Sequence, residues 1–246
     1  MARVVASIEA RMASSRLPGK VLADIAGKPA LQRLLDRLYA AQQIDAIVLA
    51  TTTGEVDDPL AQWANDAGLP CHRGSEDDVL RRVVEAQQSM SSDVVVEING
   101  DMPLLDPAVV DRAVERFFQG GCDVVSTTWK PSYPQGIDAQ VFRLEDLERV
   151  ANTIQDPTVR EHVSLYFYEH PKRYQVVHLE APPRLRRPDV RLVLDYAEDL
   201  DLIRAVYERL EPGLGGAFGV EEVLALLDRE PVLAAINRHC EELSAR

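Results

Sequence analysis

The chain has 246 residues, 46% of them hydrophobic and 27% charged, enough to bury a core without disulfide or metal staples. Forty Asp and Glu against 27 Lys and Arg leave a net charge of −13. That balance opposes binding to nucleic acid and makes any phosphate site a local basic patch on an acidic surface. Cys71, Cys122 and Cys240 lie far apart, with no C-x-x-C or Cys/His metal spacing. This disfavours zinc and predicts buried thiols in a reducing compartment. No signal-peptide pattern and no long uncharged apolar run is present, which reads as a cytoplasmic protein without a membrane span.

Short β-branched runs alternate with helical spacing along the chain. Residues 3–8 (RVVASI) read as a strand. Over 29–43 the apolar Leu31, Leu34, Leu35, Leu38 and Tyr39 recur on one helical face, and Pro29 suits the first turn. Residues 47–51 form a second strand and 59–67 a helix stopped at Gly68. Residues 77–90 are a helix with Val79, Leu80, Val83 and Val84 on one side. A buried-type strand follows at 93–98, then a helix at 107–119 closed by Gly120 and Gly121, then a strand at 123–127. The segment 129–140, rich in Pro, Tyr and Gly, reads as a loop. Short strands at 140–142 and 174–179 flank helical patterns at 145–152 and 158–169, and this part is expected to leave the main sheet. Residues 191–194 return as a strand, 198–210 are helical, and 213–219 turn before two last helices.

This βαβα rhythm predicts an α/β fold of three layers, a mostly parallel sheet between helices. The expected organisation is a single domain over 1–246, with an insert at about 129–190 for acceptor binding and dimerisation. In such sheets ligands bind beyond the carboxyl ends of the strands. The loops after Ile8, Ile98 and Leu194 are therefore the places to search.

The first of these loops holds Arg11, Ser14, Ser15, Arg16, Gly19 and Lys20. Cations neutralise a polyphosphate, while hydroxyls and free backbone N–H groups fix its oxygens. The Walker spacing is absent, and a solvated basic turn would share this composition. Asp101 follows a buried-type strand and a glycine, and Asp195 ends the run Leu192-Val193-Leu194. Magnesium takes oxygen ligands and commonly uses one or two protein carboxylates, so the pair is a candidate metal site. The structural alternatives are a turn cap for Asp101 and a helix cap for Asp195. Asp106 reads as a helix cap, and Glu198, Asp199 and Asp201 as first-turn acids favoured by the helix dipole.

I-E-A-R-M-A-S-S-R-L-P-G-K-V-L at 8–22 and I-A-G-K-P-A-L at 25–31 are followed in order by further runs. These are R-G-S-E-D-D-V-L at 73–80, N-G-D-M-P-L-L-D-P at 99–107, Y-P-Q-G-I-D-A-Q-V-F at 133–142, R-E-H-V-S-L-Y at 160–166 and L-V-L-D-Y-A-E-D-L-D-L-I at 192–203. Together they resemble the CMP-sugar synthetases, the cytidylyltransferases for acylneuraminate and 3-deoxy-manno-octulosonate sugars, and within them the spore-coat polysaccharide branch. The resemblance implies a fold of the nucleotide-diphospho-sugar transferase type, GT-A-like and Rossmann-like. It also implies CTP as donor, Mg2+ as cofactor, an acidic keto-sugar as acceptor and a homodimer.

Carried onto this sequence, the resemblance assigns the nucleotide to Ala10, Arg11, Ser14, Arg16, Lys20, Ser75, Asp77 and Asn99. It assigns catalysis to Arg11, Lys20 and Asp101, and the metal to Asp101 and Asp195. Gln135, Asp138, Arg160 and His162 are candidate acceptor residues: Arg160 as the cation for an acid group and His162 to orient a hydroxyl. Packing roles fit these four equally well. Tyr166, Phe167 and Tyr168 read as core or interface. Two residues depart from the pattern: Glu9 stands where the branch usually has Gln, and Glu97 where it commonly has Arg. A carboxylate near a polyanion is unfavourable unless it points away or binds a cation, so these positions bear on acceptor identity and nucleotide contacts. The alternatives are a phosphonate or alditol-phosphate acceptor, a nucleotide-sugar-dependent glycosyltransferase, and a silent nucleotide-binding homologue.

Overall fold

A computed structural model describes residues 2–240. The chain runs through β1 (Val4–Glu9), a hairpin of β2 (Asp24–Ile25) and β3 (Lys28–Pro29), and α1 (Ala30–Leu38). It continues through β4 (Ala46–Thr52), α2 (Asp58–Asp66), β5 (Cys71–Gly74), α3 (Val79–Ser89), β6 (Val94–Asn99), α4 (Pro107–Phe118) and β7 (Val124–Ser126). Then come β8 (Gln140–Arg143), α5 (Leu144–Thr153), α6 (Pro157–Glu161), α7 (Leu165–Glu169) and β9 (Val176–His178). The chain finishes with α8 (Ala197–Leu214), α9 (Val220–Arg229) and α10 (Pro231–Ala234).

Seven strands form one sheet in the order β5-β4-β1-β6-β8-β7-β9. β8 runs against its neighbours β6 and β7, while the other pairs are parallel. Alternate side chains cover opposite faces. One face presents Ala6, Ile8, Leu49, Val96 and Ile98 to Leu31, Leu34 and Leu35 of α1 and Val110 and Val114 of α4. The other presents Val5, Val48 and Val95 to α3, α5 and α7. α8 and α9 build a further apolar cluster with the hairpin and with Leu192 and Leu194. The three-layer α/β/α expectation therefore holds. A parallel strand buried on both faces is ordinarily apolar throughout. Here Ser7, Glu9 and Glu97 interrupt the α3 face towards the strand ends, and the register pairs Ser7 with Glu97 and Glu9 with Asn99.

Several expectations are corrected. Residues 140–143 and 176–178 do not leave the main sheet; they pair as β8 and β9 within it, because β8 inserts antiparallel between β6 and β7. The helical pattern at 158–169 is two short helices, broken where His162 turns extended (φ −117°, ψ 98°) and Val163 enters the core. Residues 191–194 form no strand; they make one bridge, Gln135 to Arg191, and hydrogen-bond to loops. Leu192 N–H donates to the Gln135 carbonyl at 2.8 Å and Leu194 N–H to the Asp101 carbonyl at 2.8 Å. Gly136 permits this approach: at φ +88°, a Cβ there would lie 2.6 Å from the Val193 nitrogen. Of the thiols expected to be buried, Cys122 is, Cys71 is exposed and Cys240 lies between. Among the described residues no helix is long and apolar enough to cross a membrane.

Candidate active site

β1 ends at Glu9, and the chain curls back on itself. Gly19, at φ +74°, donates its N–H to the Met12 carbonyl at 2.9 Å. Met12 N–H donates to Asp57 at 2.6 Å, and Leu17 N–H to the Ser14 hydroxyl at 3.3 Å. The resulting loop lines one wall of a cleft of about 620 Å³ at the carboxyl ends of β1 and β6, with Ala10, Arg11, Ser14, Arg16 and Lys20 facing it. That volume accommodates a nucleotide and a small second substrate.

At one end of the cleft Lys20 Nζ donates to Asp101 Oδ2 at 2.6 Å and to Asp195 Oδ1 at 2.8 Å. Arg16 reaches the same Asp195 oxygen at 2.6 Å, and Arg191 holds the other at 2.9 Å. Burial would raise the Asp195 carboxyl, but the Lys20 ammonium and the Arg16 guanidinium outweigh it, and its pKa falls below the ordinary carboxylate range. Asp195 is therefore not a helix cap. That role belongs to Asp199, which is fully buried rather than a surface acid of the first turn. Its carboxylate accepts the N–H groups of Asp195 and Tyr196 at 2.9 Å, the Arg191 guanidinium at 3.0 Å and Asn237 at 2.7 Å. Asp106 is a cap, and it serves two helices: one oxygen accepts from Ala108 N–H at the start of α4, the other from Val220 N–H at the start of α9.

The floor of the cleft is different. Glu9 lines it with Oε1 buried and without a hydrogen-bond partner, and Glu97, 6% exposed, leaves Oε2 likewise unpartnered. Burial pushes the Glu9 carboxyl up to about 8, against the pull of Arg82 and with the push of Asp101. Burial, and then the charge of Glu9, also raises Glu97 well above the usual carboxylate range. Beyond Glu97 the polar seam continues through Gln140, which accepts from the Tyr168 hydroxyl.

The structure brings Ala10, Arg11, Ser14, Arg16, Lys20, Asp77, Asn99, Asp101, His162 and Asp195 to one cleft. Ser75, Gln135, Asp138 and Arg160 lie outside its lining. The Ser75 hydroxyl accepts Asp78 N–H at 3.1 Å, Gln135 accepts from Arg191 at 3.2 Å, and Arg160 is buried against Asp78 at 2.9 Å. Sequence reasoning missed Arg82 and Arg191. Arg82 offers only a helical position opposite the apolar stripe of α3, and Arg191 precedes Asp195 in a run that imitates a strand.

Asp101 and Asp195 present two hard oxygens that already share one cation, the Lys20 ammonium, beside a cationic loop. This donor set fits Mg2+. A different group, Glu198, His239 and Cys240, brings its ligand atoms within 4.8 Å of one another near the end of the described residues. His239 is exposed, Glu198 and Cys240 are half-buried, and the group lies outside the cleft lining.

A family model described as cytidylyltransferase matches residues 5–218. The spore coat polysaccharide biosynthesis protein SpsF of Bacillus subtilis is 35% identical over 231 residues, 91% of this chain and 93% of that one. Among solved structures, a cytidylyltransferase from Leptospira borgpetersenii superposes with a TM-score of 0.88 at 24% identity, covering 99% of this chain and 100% of that one. A CMP:2-keto-3-deoxy-manno-octonic acid synthetase complexed with CTP superposes at 0.62 with 19% identity, over 84% and 99% of the two chains. With a matching model across most of its length and a relative aligned nearly end to end, the chain belongs to the cytidylyltransferases, the CTP-dependent nucleotidyltransferases.

Proposed function

We propose that the enzyme joins the CMP part of CTP to a hydroxyl of a small acidic keto-sugar or a similar acceptor, releasing pyrophosphate, for cytoplasmic steps of surface-polysaccharide synthesis. The carrying observation is the Lys20 ammonium held between Asp101 and Asp195 at the mouth of a parallel sheet, beside Arg11 and Arg16. The acceptor hydroxyl gives up its proton to water as it attacks the α-phosphorus in line, the bond from the α-phosphorus to the bridging oxygen breaks, and its electron pair leaves with pyrophosphate. Arg11, Arg16 and Lys20 receive the charge that develops on the departing group. Asp101 and Asp195 would hold Mg2+, which neutralises charge on the phosphate when bound. The acidic acceptor and the polysaccharide role draw on the names of the relatives. Arg160 is held by Asp78 outside the cleft lining, so the cations that face an acid group there are those of the loop and Arg82.

The test is pyrophosphate release from each of the four nucleoside triphosphates with Mg2+ and a panel of keto-sugar acids. Release with CTP alone, abolished by Asp101→Ala, is the expected result. Absence of CTP binding by calorimetry would sink the reading. The same protein in a sedimentation run checks for the homodimer implied by the sequence resemblance.

A further inference from the structure

The cleft lining carries both signs of charge. Arg11, Arg16 and Lys20 line it with Asp101 and Asp195, and Arg11 pairs with Glu76 at 3.4 Å. The remaining lining sets Glu9, Glu76, Asp77 and Glu161 against Arg82 and His162. Arg82 itself sends one nitrogen to the carbonyls of Ser75 and Glu76, and its Nε has no partner. Arg160 is engaged by Asp78 and lies outside the lining. Behind Glu9, Glu97 projects from the neighbouring strand on the same sheet face, since Ser7 pairs with Glu97 and shares its face with Glu9. Both side chains keep a buried oxygen without a partner.

We propose that the acceptor carries a protonated amine, which Glu9 contacts on the cleft floor while Glu97 supplies the second negative charge behind it. This rests on the cytidylyltransferase reading and narrows its acceptor to an amine-bearing compound, such as an amino-substituted sugar acid. The physical reason is charge balance. A full positive charge held close offsets the cost of ionising the half-buried Glu9 and the buried Glu97; a neutral hydroxyl or amide offers hydrogen bonds alone and leaves the carboxyls protonated. An acceptor with only anionic groups would meet like charge from Asp77 and Glu161 as well. The free protein answers the same imbalance with protons, as burial lifts Glu9 to about 8.

Three small probes of matched size test this on the full chain loaded with a non-hydrolysable CTP analogue: ethanolammonium, ethylene glycol and glycolate. Binding is read by ligand-observed NMR, with the Glu9→Gln and Glu97→Gln variants and the double variant alongside. The expected result is ethanolammonium binding at least about tenfold tighter than ethylene glycol, with glycolate weakest, and a preference that collapses in the double variant. Glycolate binding as well as ethanolammonium, a preference that survives the double variant, or binding of none of the three would overturn the proposal. Binding of the CTP analogue, measured first on each sample, separates the outcomes. Its loss in the wild type defeats the parent reading, its loss in a variant alone marks a misfolded protein and shifts the test to the other single variant, and its retention confines a negative result to the amine.

Discussion

Lys20 Nζ lies 2.8 Å from Asp195 Oδ1 across 175 positions of sequence, and the same ammonium lies 2.6 Å from Asp101. One cation thus ties the loop after β1, the loop after β6 and the start of α8. Replacing Lys20 by Met removes the charge but keeps the stem. The expected loss in turnover is roughly 100-fold or more, because a charge aimed at the leaving phosphate is removed from a site shielded from water. The variant leaves two carboxylates facing each other, so added Mg2+ should raise its melting temperature more than that of the wild type. Calorimetric scans with and without Mg2+ check this; equal shifts would argue that Asp101 and Asp195 do not share a cation.

Asp199 never reaches the cleft, yet it should matter to it. It compensates the buried Arg191 guanidinium and satisfies two backbone N–H groups at the start of α8. Asp199→Ala leaves that buried charge to Asp195 and strands two backbone N–H groups, and urea denaturation should show a loss of about 3–5 kcal/mol. A loss below about 1 kcal/mol would mean that Arg191 finds Asp195 a sufficient partner.

Asp106 caps α4 and α9 with its two oxygens. A single cap is worth about 0.5–2 kcal/mol, so Asp106→Ala should cost about 1–4 kcal/mol in the same assay. Asp106→Asn, which can retain one acceptor, should recover only part of that.

The raised carboxyl of Glu9 makes stability depend on pH. Below its ordinary pKa of 4.5 it is protonated in both the folded and unfolded chain, and its favourable contribution is complete. As pH climbs, the unfolded chain releases the proton while the fold retains it up to about 8, so stability falls across that window. Glu97, raised by burial and by Glu9, acts in the same direction. The melting temperature of the ligand-free wild type should therefore decline between about pH 5 and pH 8 more steeply than that of Glu9→Gln. Parallel curves would contradict the buried, protonated state.

Much of the fold is legible in the order of residues. The run from Val4 to Ile8, the Leu31, Leu34 and Leu35 stripe, and the Gly68 and Gly120 stops state periods and breaks that local geometry enforces. What misled was short and context-bound. Arg191 to Leu194 alternates like a strand, but its hydrogen-bond partners are loops at 101 and 135, and no local pattern encodes a partner that distant. The helical spacing at 158–169 breaks because Val163 is drawn into the core between α6 and α7, which is a packing event.

For the site, residue type and order alone carry the chemistry of the wall: a basic, hydroxyl-bearing loop after a strand, and aspartates beyond apolar runs. The partnerships come from the tertiary fold. Arg160, a free cation by composition, is used up by Asp78, and Glu9 and Glu97, far apart in the chain, become neighbours through the pairing of β1 with β6. Charge is a property of residues, but its compensation is a property of distances, and those exist only once the sheet has brought the strands together.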